Sequence, residues 1–293
     1  MTFLSYLISG ISLGSVYAII ALGYTMVYGI AKMLNFAHGD VIMVGAYVSF
    51  CVTSYLGLPA WVSVLAAMVV CTFLGIALEG LAYKPLRGAD SLAVLITAIG
   101  VSFFLQNLAL KIWGSAPKSF NSVVGTGSVK LFGGQLVITY TTLVTLLACV
   151  VIMVGLNLFT GKTKMGKAMR AVSEDKDAAL LMGINVNRTI SMTFAIGSAL
   201  AAIAGVLLCS AYPLLMPTTG SMPGIKAFTA AVFGGIGSIP GAMLGGILLG
   251  VIQTFSQAYI STELSDAIVF AVLIIVLLVK PTGLLGKKVS EKV

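Results

Sequence analysis

The sequence predicts an all-α integral membrane protein: a polytopic helical bundle of about eight transmembrane segments, with broken or re-entrant helices. Apolar residues make up 59% of the 293 positions, and the mean hydropathy is +1.08. Charged residues make up only 9%, whereas a soluble domain usually carries about a quarter. Lipid is therefore expected to cover most of the exterior, and the whole chain, 1–293, is predicted to form one membrane domain.

Eight apolar runs approach or exceed the roughly 20 residues that a helix needs to cross a bilayer. They cover residues 7–30, 39–58, 60–83, 92–113, 136–159, 190–213, 227–256 and 265–280. The first run contains Gly10 and Gly14 in a GxxxG spacing, which permits close contact between helices. We therefore expect this run to pack tightly against another helix.

Two of the runs are interrupted or preceded by segments that cannot continue a straight helix. LNFAHGD precedes the second run, and GGIGSIPG, with four glycines and a proline, divides the seventh. Irregular backbone at membrane depth survives only where protein or a water-filled cavity satisfies its polar groups, so both breaks are expected to line a translocation path. The residues proposed for that path are Asn35, His38, Gly39, Asp40, Gly234, Gly235, Gly237 and Pro240.

Within the first break, Asn35 and Asp40 are expected to cap the broken helix, because both side chains accept hydrogen bonds from free backbone N–H groups. His38 is the only histidine in the chain. It is interpreted either as a hydrogen-bonded structural residue or, with Asp40, as half of a proton relay.

Lysine and arginine residues predict the orientation, because cytoplasmic loops carry an excess of both. The 162–188 loop has six of them, and the tail after Val279 has Lys280, Lys287, Lys288 and Lys292. Both segments are placed in the cytoplasm and the N-terminus outside. An even number of crossings must then separate them, so the seventh run either re-enters or splits into two short spans.

The SEDKDAALLMGIN stretch, 173–185, is far more charged than its surroundings. Residues 165–182 are predicted to form one helix, supported by an Arg170–Glu174 pair and stopped by Gly183. This helix is too short and too charged to cross the bilayer. It is either a solvated connector in the cytoplasm or a docking element for a partner.

Several other functions are disfavoured by the residues. The net charge of +8 is spread over loops and forms no continuous basic face, which excludes nucleic acid as a partner. The four cysteines stand singly, so no metal or cofactor is expected. The Gly161–Thr163 triplet lacks the upstream glycine of a phosphate-binding loop. No nucleophile or second carboxylate stands at a useful spacing, so the chain is not predicted to be an enzyme.

Asp177-Ala178-Ala179 followed by Gly183 resembles the EAA-xxx-G signature of ABC-importer permeases, with Asp in place of Glu and without the usual Ile-x-Leu-Pro continuation. Longer segments resemble branched-chain amino-acid permeases, and specifically the shorter of the two permeases in such systems. These segments span 10–30, 34–50, 79–88, 173–188 and 224–250.

The resemblance implies a permease subunit in a bacterial cytoplasmic membrane that imports leucine, isoleucine or valine. Its partners would be a second permease, two ATP-hydrolysing subunits and an extracytoplasmic binding protein. It also implies a coupling helix that docks on the ATPase subunit, with the contact residues Ala168, Ala171, Glu174, Asp177, Ala178, Ala179 and Gly183. Urea and short-amide permeases share much of this pattern and remain alternatives. An autonomous channel or secondary transporter is a further alternative, but it would need no docking helix.

Overall fold

The computed structural model describes residues 2–125, 127–131 and 136–286. They form a helical bundle with two small two-stranded sheets. The helices are α1 (Thr2–Ala31), α2 (His38–Ser54), α3 (Ala60–Leu78), α4 (Ser91–Trp113), α5 (Tyr140–Lys162), α6 (Lys164–Glu174), α7 (Lys176–Leu181), α8 (Val186–Ala211), α9 (Ser221–Gly234), α10 (Ile239–Tyr259) and α11 (Ser265–Val279). The α3 helix continues through a π-helical turn, Glu79–Tyr83, and a 3-10 turn, Lys84–Leu86.

The all-helical membrane fold is confirmed, but the count of eight spans is not. Six helices of the described residues are long and apolar enough to cross a membrane: α1, α3 with its extension, α4, α5, α8 and α10. The α2, α9 and α11 helices have only 17, 14 and 15 residues. The seventh apolar run is two helices, α9 and α10, so its interruption by GGIGSIPG is a real break.

The α1 and α10 helices pack antiparallel along their glycines. The Phe3 and Phe255 rings lie 5.1 Å apart at one end of the pair. A methyl group built at Gly10 would lie 2.9 Å from the Val251 Cα, and one at Gly14 would lie 2.7 Å from the Ile247 Cα. The GxxxG pair therefore allows two backbones to touch, as expected where apolar lipid gives helices little reason to associate except close packing.

The bundle has two distinct ends. We call the end where α1 begins the N-terminal end. It carries β1 (Lys118–Ser119) paired with β4 (Leu214–Leu215), and near them β2 (Ser128–Leu131) paired with β3 (Leu136–Thr139), both antiparallel. The β3 strand leads directly into α5, whose first turn is capped by the Thr139 side chain.

The opposite end, where α1 finishes, carries α6 and α7 and is called the α6–α7 end. The Lys176 Nζ donates to the Ala31 carbonyl over 3.0 Å. The Leu285 N–H donates to the Gly234 carbonyl over 2.9 Å, which brings the segment after α11 to the same end. The basic loop and the start of the basic tail therefore share one end, separated by α8 to α11. Lys287, Lys288 and Lys292 lie outside the described residues.

The α1–α10 contact predicts a selective effect of side-chain volume. Gly14→Leu should lower the midpoint of thermal unfolding, because leucine must push apart two touching backbones at a cost of about 1–3 kcal/mol. The measurement is thermal unfolding of the purified chain in detergent.

The matched control is Gly100→Leu on α4, where an added Cβ would meet open space. This variant should unfold at or slightly above the temperature of the unmodified protein, because glycine is a weak helix former. If Gly14→Leu is as stable as Gly100→Leu, the α1–α10 packing described above is wrong.

Candidate functional site

The charged stretch near residue 175 forms two helices, and the prediction of one helix over 165–182 is wrong. The Asp175 backbone is extended, with φ −156° and ψ 117°, and it separates α6 from α7. One Asp175 carboxylate oxygen accepts from the Asp177 and Ala178 N–H groups, at 2.9 Å each. Thr163 caps α6 in the same way. An aspartate at this position starts a new helix because it satisfies two otherwise free donors.

The short α7 helix presents an apolar surface at the α6–α7 end. Leu180, Leu181 and Met182 are 62%, 88% and 82% exposed, although they lie outside the membrane-spanning helices. Gly183 follows them with φ +81°, a backbone conformation that ends the helix and that other residues rarely adopt. Three consecutive exposed apolar side chains in water are costly for an isolated chain, so this surface is suited to contact with a partner.

The residues predicted for coupling do not all face the same way. Asp177, Ala178, Glu174 and Gly183 are exposed, and Ala168 and Ala171 are half-buried. Ala179 is buried and faces the rest of the protein. The opposite side of α6 is anchored by Met169 and Val172, both buried. The exposed members of this predicted set therefore lie on the outer side of α6 and α7, and buried residues pack the inner side of both helices against the bundle.

A second set of candidates surrounds the start of α2, which lies inside the bundle. After Ala31 the chain turns back, and a methyl group built at Gly23 would lie 2.5 Å from the His38 Nε2. The His38 ring also lies 4.6 Å from the Tyr24 ring. Gly23 precedes Ala31 by eight residues, about 12 Å along the α1 axis. The 32–37 segment is therefore re-entrant.

The start of α9 meets the start of α2 at this depth. A methyl group built at Gly39 would lie 2.6 Å from the Gly220 carbonyl oxygen, and one at Gly224 would lie 2.8 Å from the Gly39 Cα. Two helix N-termini, each with free N–H groups and partial positive charge, therefore lie side by side within the bundle. Such a junction favours a nearby negative or hydrogen-bond-accepting group.

Asp40 supplies a negative charge beside this junction, in the first turn of α2. Its side chain is buried, and one carboxylate oxygen accepts from the Gln106 Nε2 over 2.9 Å. Gln106 also reaches the hydroxyl oxygens of Ser102 and Ser221, at 3.1 and 3.3 Å. Because Ser221 is the first residue of α9, Gln106 links α4 to the starts of both short helices.

The expected capping by Asn35 and Asp40 is wrong. The N-cap residue of α2 is Ala37, and no side chain caps this helix. Asn35 instead accepts from the Tyr83 hydroxyl over 2.7 Å, which ties the re-entrant segment to the π-helical turn. A buried amide or carboxylate bonds to whichever donor the fold brings close, and in both cases that donor comes from a distant part of the chain.

The GGIGSIPG segment forms a tight turn at the α6–α7 end. Gly235 and Gly237 have φ +103° and +94°, so glycine is required there, and Ser238 caps α10 with Pro240 in its first turn. A methyl group built at Gly29 would lie 3.2 Å from the Gly237 Cα. Of the LNFAHGD segment, Leu34 and Asn35 share a small apolar pocket with Ile236 of this turn. His38, Gly39 and Asp40 lie deeper in the bundle.

Some buried polar groups were not identified from the sequence. The Lys226 Nζ lies 2.6 Å from the Asp266 carboxylate, joining α9 to α11, and the Tyr17 hydroxyl donates to Gln253 over 2.9 Å. Each pair includes a charged or amide residue inside an apolar run, and this pattern could have identified them as buried polar groups. Near the N-terminal end, a cavity of about 360 Å³ is lined by hydroxyl groups from α1, α5 and α8, among them Ser12, Thr142 and Ser210.

Short helices that start inside a bundle, with an exposed apolar surface on α7 at one end, are typical of a multi-pass membrane transport permease. Residues 6–277 match the family described as branched-chain amino acid transport system / permease component. The chain belongs to this family.

Two relatives are similar over nearly their full length. One is the high-affinity branched-chain amino acid transport system permease protein LivH of Escherichia coli K12, 47% identical over 99% of this chain and 98% of the relative. Another is the corresponding permease protein BraD of Pseudomonas aeruginosa, 44% identical with the same coverage. A more distant relative, the probable branched-chain amino acid transport permease protein LivH of Methanocaldococcus jannaschii, is 29% identical over 92% of this chain and 88% of its own length.

The Asp175 cap predicts that α7 is stabilised locally. In Asp175→Ala, backbone amides of residues 176–181 should exchange with solvent about fivefold faster, because losing an N-cap costs about 1 kcal/mol. Hydrogen exchange with mass spectrometry measures this directly. Glu174→Ala is the matched control, since it removes the same charge one residue earlier, inside α6. Equal exchange in α7 for both variants would contradict the capping role.

Proposed function

We propose that this chain is the permease subunit of an ATP-driven importer of branched-chain amino acids. The observation that carries the proposal is the family membership together with the identity to a relative that is named for this transport. The identity is 47%, and the match covers 98% of the relative's length. The chain would work with a second permease subunit, two ATP-hydrolysing subunits and an extracytoplasmic binding protein. ATP hydrolysis would take place on the separate subunits.

We assign the α6–α7 end to the cytoplasm, with the N-terminus outside. The basic residues support this orientation, because the 162–188 loop and Lys280 lie at the α6–α7 end and cytoplasmic segments carry such an excess. In this orientation the apolar platform of Leu180, Leu181 and Met182 faces the ATPase subunits. The hydroxyl-lined cavity faces the side from which the binding protein would deliver cargo.

The mechanism we propose follows from how α7 is attached. Movement of an ATPase subunit would be passed to α7 and then, through the Lys176–Ala31 bond, to the end of α1. The re-entrant 32–37 segment connects that end with the junction of α2 and α9. Displacement of α7 would therefore tilt two short helices whose starts lie inside the bundle, and so switch the access of the pathway between the two sides.

Among the predicted pathway residues, Asn35, His38, Gly39 and Asp40 are the ones we retain beside the cargo route. All four are buried: His38, Gly39 and Asp40 lie in the first turn of α2 at the junction, and Asn35 lies in the re-entrant segment that leads to it. We assign Gly234, Gly235, Gly237 and Pro240 a different role, as the turn that lets α9 and α10 pivot at the cytoplasmic end. The positive φ angles of Gly235 and Gly237 and the contact of Gly235 with residues 285–286 support this role.

Cargo is tested by uptake. Cells that lack their own branched-chain uptake and express this chain with its partner subunits should accumulate labelled leucine only when ATP is available. Excess isoleucine or valine should suppress leucine uptake, whereas excess urea or acetamide should not. Suppression by urea alone would replace the proposed cargo with the short-amide alternative, and uptake that needs neither ATP nor the ATPase subunits would indicate an autonomous channel.

Docking is tested at Ala178, which is exposed, rather than at Ala179, whose burial means that any larger side chain would disturb the fold. Ala178→Arg should reduce leucine uptake and transport-coupled ATP hydrolysis by roughly tenfold or more, because an unpaired charge in a closed contact costs several kcal/mol. The amount of the chain in the membrane should not change.

The matched control is Gly161→Arg, which adds the same side chain at the same end of the bundle, on α5 and in open space. Its transport should remain close to that of the unmodified protein. If Ala178→Arg transports as well as Gly161→Arg, α7 is not the docking element.

A further inference from the structure

A small cleft lies at the α6–α7 end, between the end of α1, the turn that joins α3 to α4, and α7. Its volume is about 180 Å³. Three separate parts of the chain line it: the end of α1 with residues 32–34, the segment around the start of α4, and Lys176 on α7. The segment around α4 contributes Leu86, Arg87, Ala89, Ser91 and Val94. The mechanism described above uses Lys176 and the end of α1 to transmit movement, but it gives the cleft between them no role.

Three cationic side chains line this cleft: Lys32, Arg87 and Lys176. Arg87 forms an ion pair with Glu79 and donates to Asn187, so its charge is partly compensated. Lys176 donates to a neutral carbonyl, that of Ala31. None of the described residues that line the cleft is acidic. The cleft therefore concentrates positive charge from positions that are distant in the sequence.

The charges in the cleft repel one another. The pKa of the Lys176 ammonium is lowered, first by partial burial and then by the nearby Arg87 and Lys32 cations, and Asp177 only partly offsets this. A lowered lysine pKa means that the charged form is disfavoured by its surroundings. A bound anion would remove this penalty, because it would lie between the three cations.

Apart from Ser91 and the Tyr28 hydroxyl, the other side chains that line the cleft are apolar. An apolar side favours an anion that is attached to a lipid chain. Tyr28, Met33, Leu34 and Leu86 lie beside the cations, along with Val94 in the first turns of α4. The cleft lies where α1 ends and α4 begins, the level at which apolar spans give way to charged loops. A cationic pocket with an apolar side at this level fits the headgroup and upper chain of a membrane lipid.

We propose that this cleft is a binding site for a phosphate group, carried by an anionic phospholipid or free in solution. The bound phosphate would connect α1, the α3–α4 turn and α7. In the proposed mechanism, movement of the ATPase subunit reaches α1 through α7. Occupancy of the cleft would then set how firmly α7 is held against the bundle. This proposal does not depend on the identity of the cargo.

The test uses the full chain, purified in a neutral detergent and freed of lipid. One arm adds phosphatidylglycerol, or diacylglycerol as the lipid without phosphate, and counts bound lipid by native mass spectrometry. A second arm adds inorganic phosphate, or chloride at the same ionic strength, and follows the midpoint of thermal unfolding. In Lys32→Asn/Lys176→Gln, phosphate binding should weaken by roughly tenfold or more, since each basic residue near such a headgroup contributes roughly fivefold in affinity. Asparagine is chosen because Lys32 has φ +59°, which asparagine tolerates.

The matched control is Lys164→Gln/Lys167→Gln, which removes two exposed charges of α6 at the same end but outside the cleft. It should bind within twofold of the unmodified chain. Lys32→Asn alone keeps the Lys176–Ala31 bond and should still weaken binding severalfold. This single variant shows whether the loss of binding in the double variant comes from a folding defect.

The two arms identify the source of the phosphate. Binding of phosphatidylglycerol that is lost only in the cleft variants supports a lipid headgroup. Stabilisation by inorganic phosphate that is lost only in those variants, with no preference between the lipids, supports free phosphate. If the cleft variants bind as well as the unmodified chain in both arms, or if the α6 control loses as much as they do, the proposal is overturned.

Discussion

Two helices of this protein begin inside the bundle, and their starts can lie together only because glycine carries no side chain. A methyl group at Gly39 would lie 2.6 Å from the Gly220 carbonyl oxygen, well inside van der Waals contact. The free N–H groups of both helices must find partners without bulk water, since unsatisfied backbone groups are costly in a membrane. Asp40, Gln106 and Ser221 supply a polar cluster there, so the depth at which α2 and α9 start depends on this junction.

The re-entrant segment explains how a short helix outside the membrane can be connected to a junction within it. Lys176 bonds to the last residue of α1, and the chain then passes through Lys32, in a left-handed conformation, and Asn35, bonded to Tyr83. Only six residues separate the end of α1 from the start of α2. So short a connection has little slack, and displacement at one end must appear at the other or break these bonds.

The π-helical turn at Glu79–Tyr83 gives this region a second attachment. Glu79 is buried, pairs with Arg87 and accepts from the Ser191 hydroxyl over 2.6 Å, which joins α3 to the start of α8. Tyr83, in the same turn, donates to Asn35. A wider helical turn places both side chains on the side that faces α1 and α8, and such turns are often found at functional positions. The cationic cleft lies directly beside this network.

Local sequence patterns predicted the features that depend on one segment alone. The GxxxG pair on α1, the break at GGIGSIPG and the existence of a charged segment outside the spans all follow from composition, because glycine, proline and charge act within a few residues. The single helix over 165–182 was predicted wrongly by the same reasoning. Helix propensity favoured continuity, but the Asp175 side chain bonds forward to two N–H groups and starts a new helix.

Composition alone was enough to predict that the chain crosses a membrane and that its helices break at LNFAHGD and GGIGSIPG, since apolar length, glycine and proline act locally. The contacts that each break makes became known from the folded chain. Asn35 bonds to Tyr83, Asp40 to Gln106, and Lys226 to Asp266, and each pair joins residues at least 40 positions apart. The cleft of Lys32, Arg87 and Lys176 likewise exists only after folding. A buried polar group must form a hydrogen bond or ion pair, and the packing of distant segments, rather than the neighbouring sequence, selects its partner.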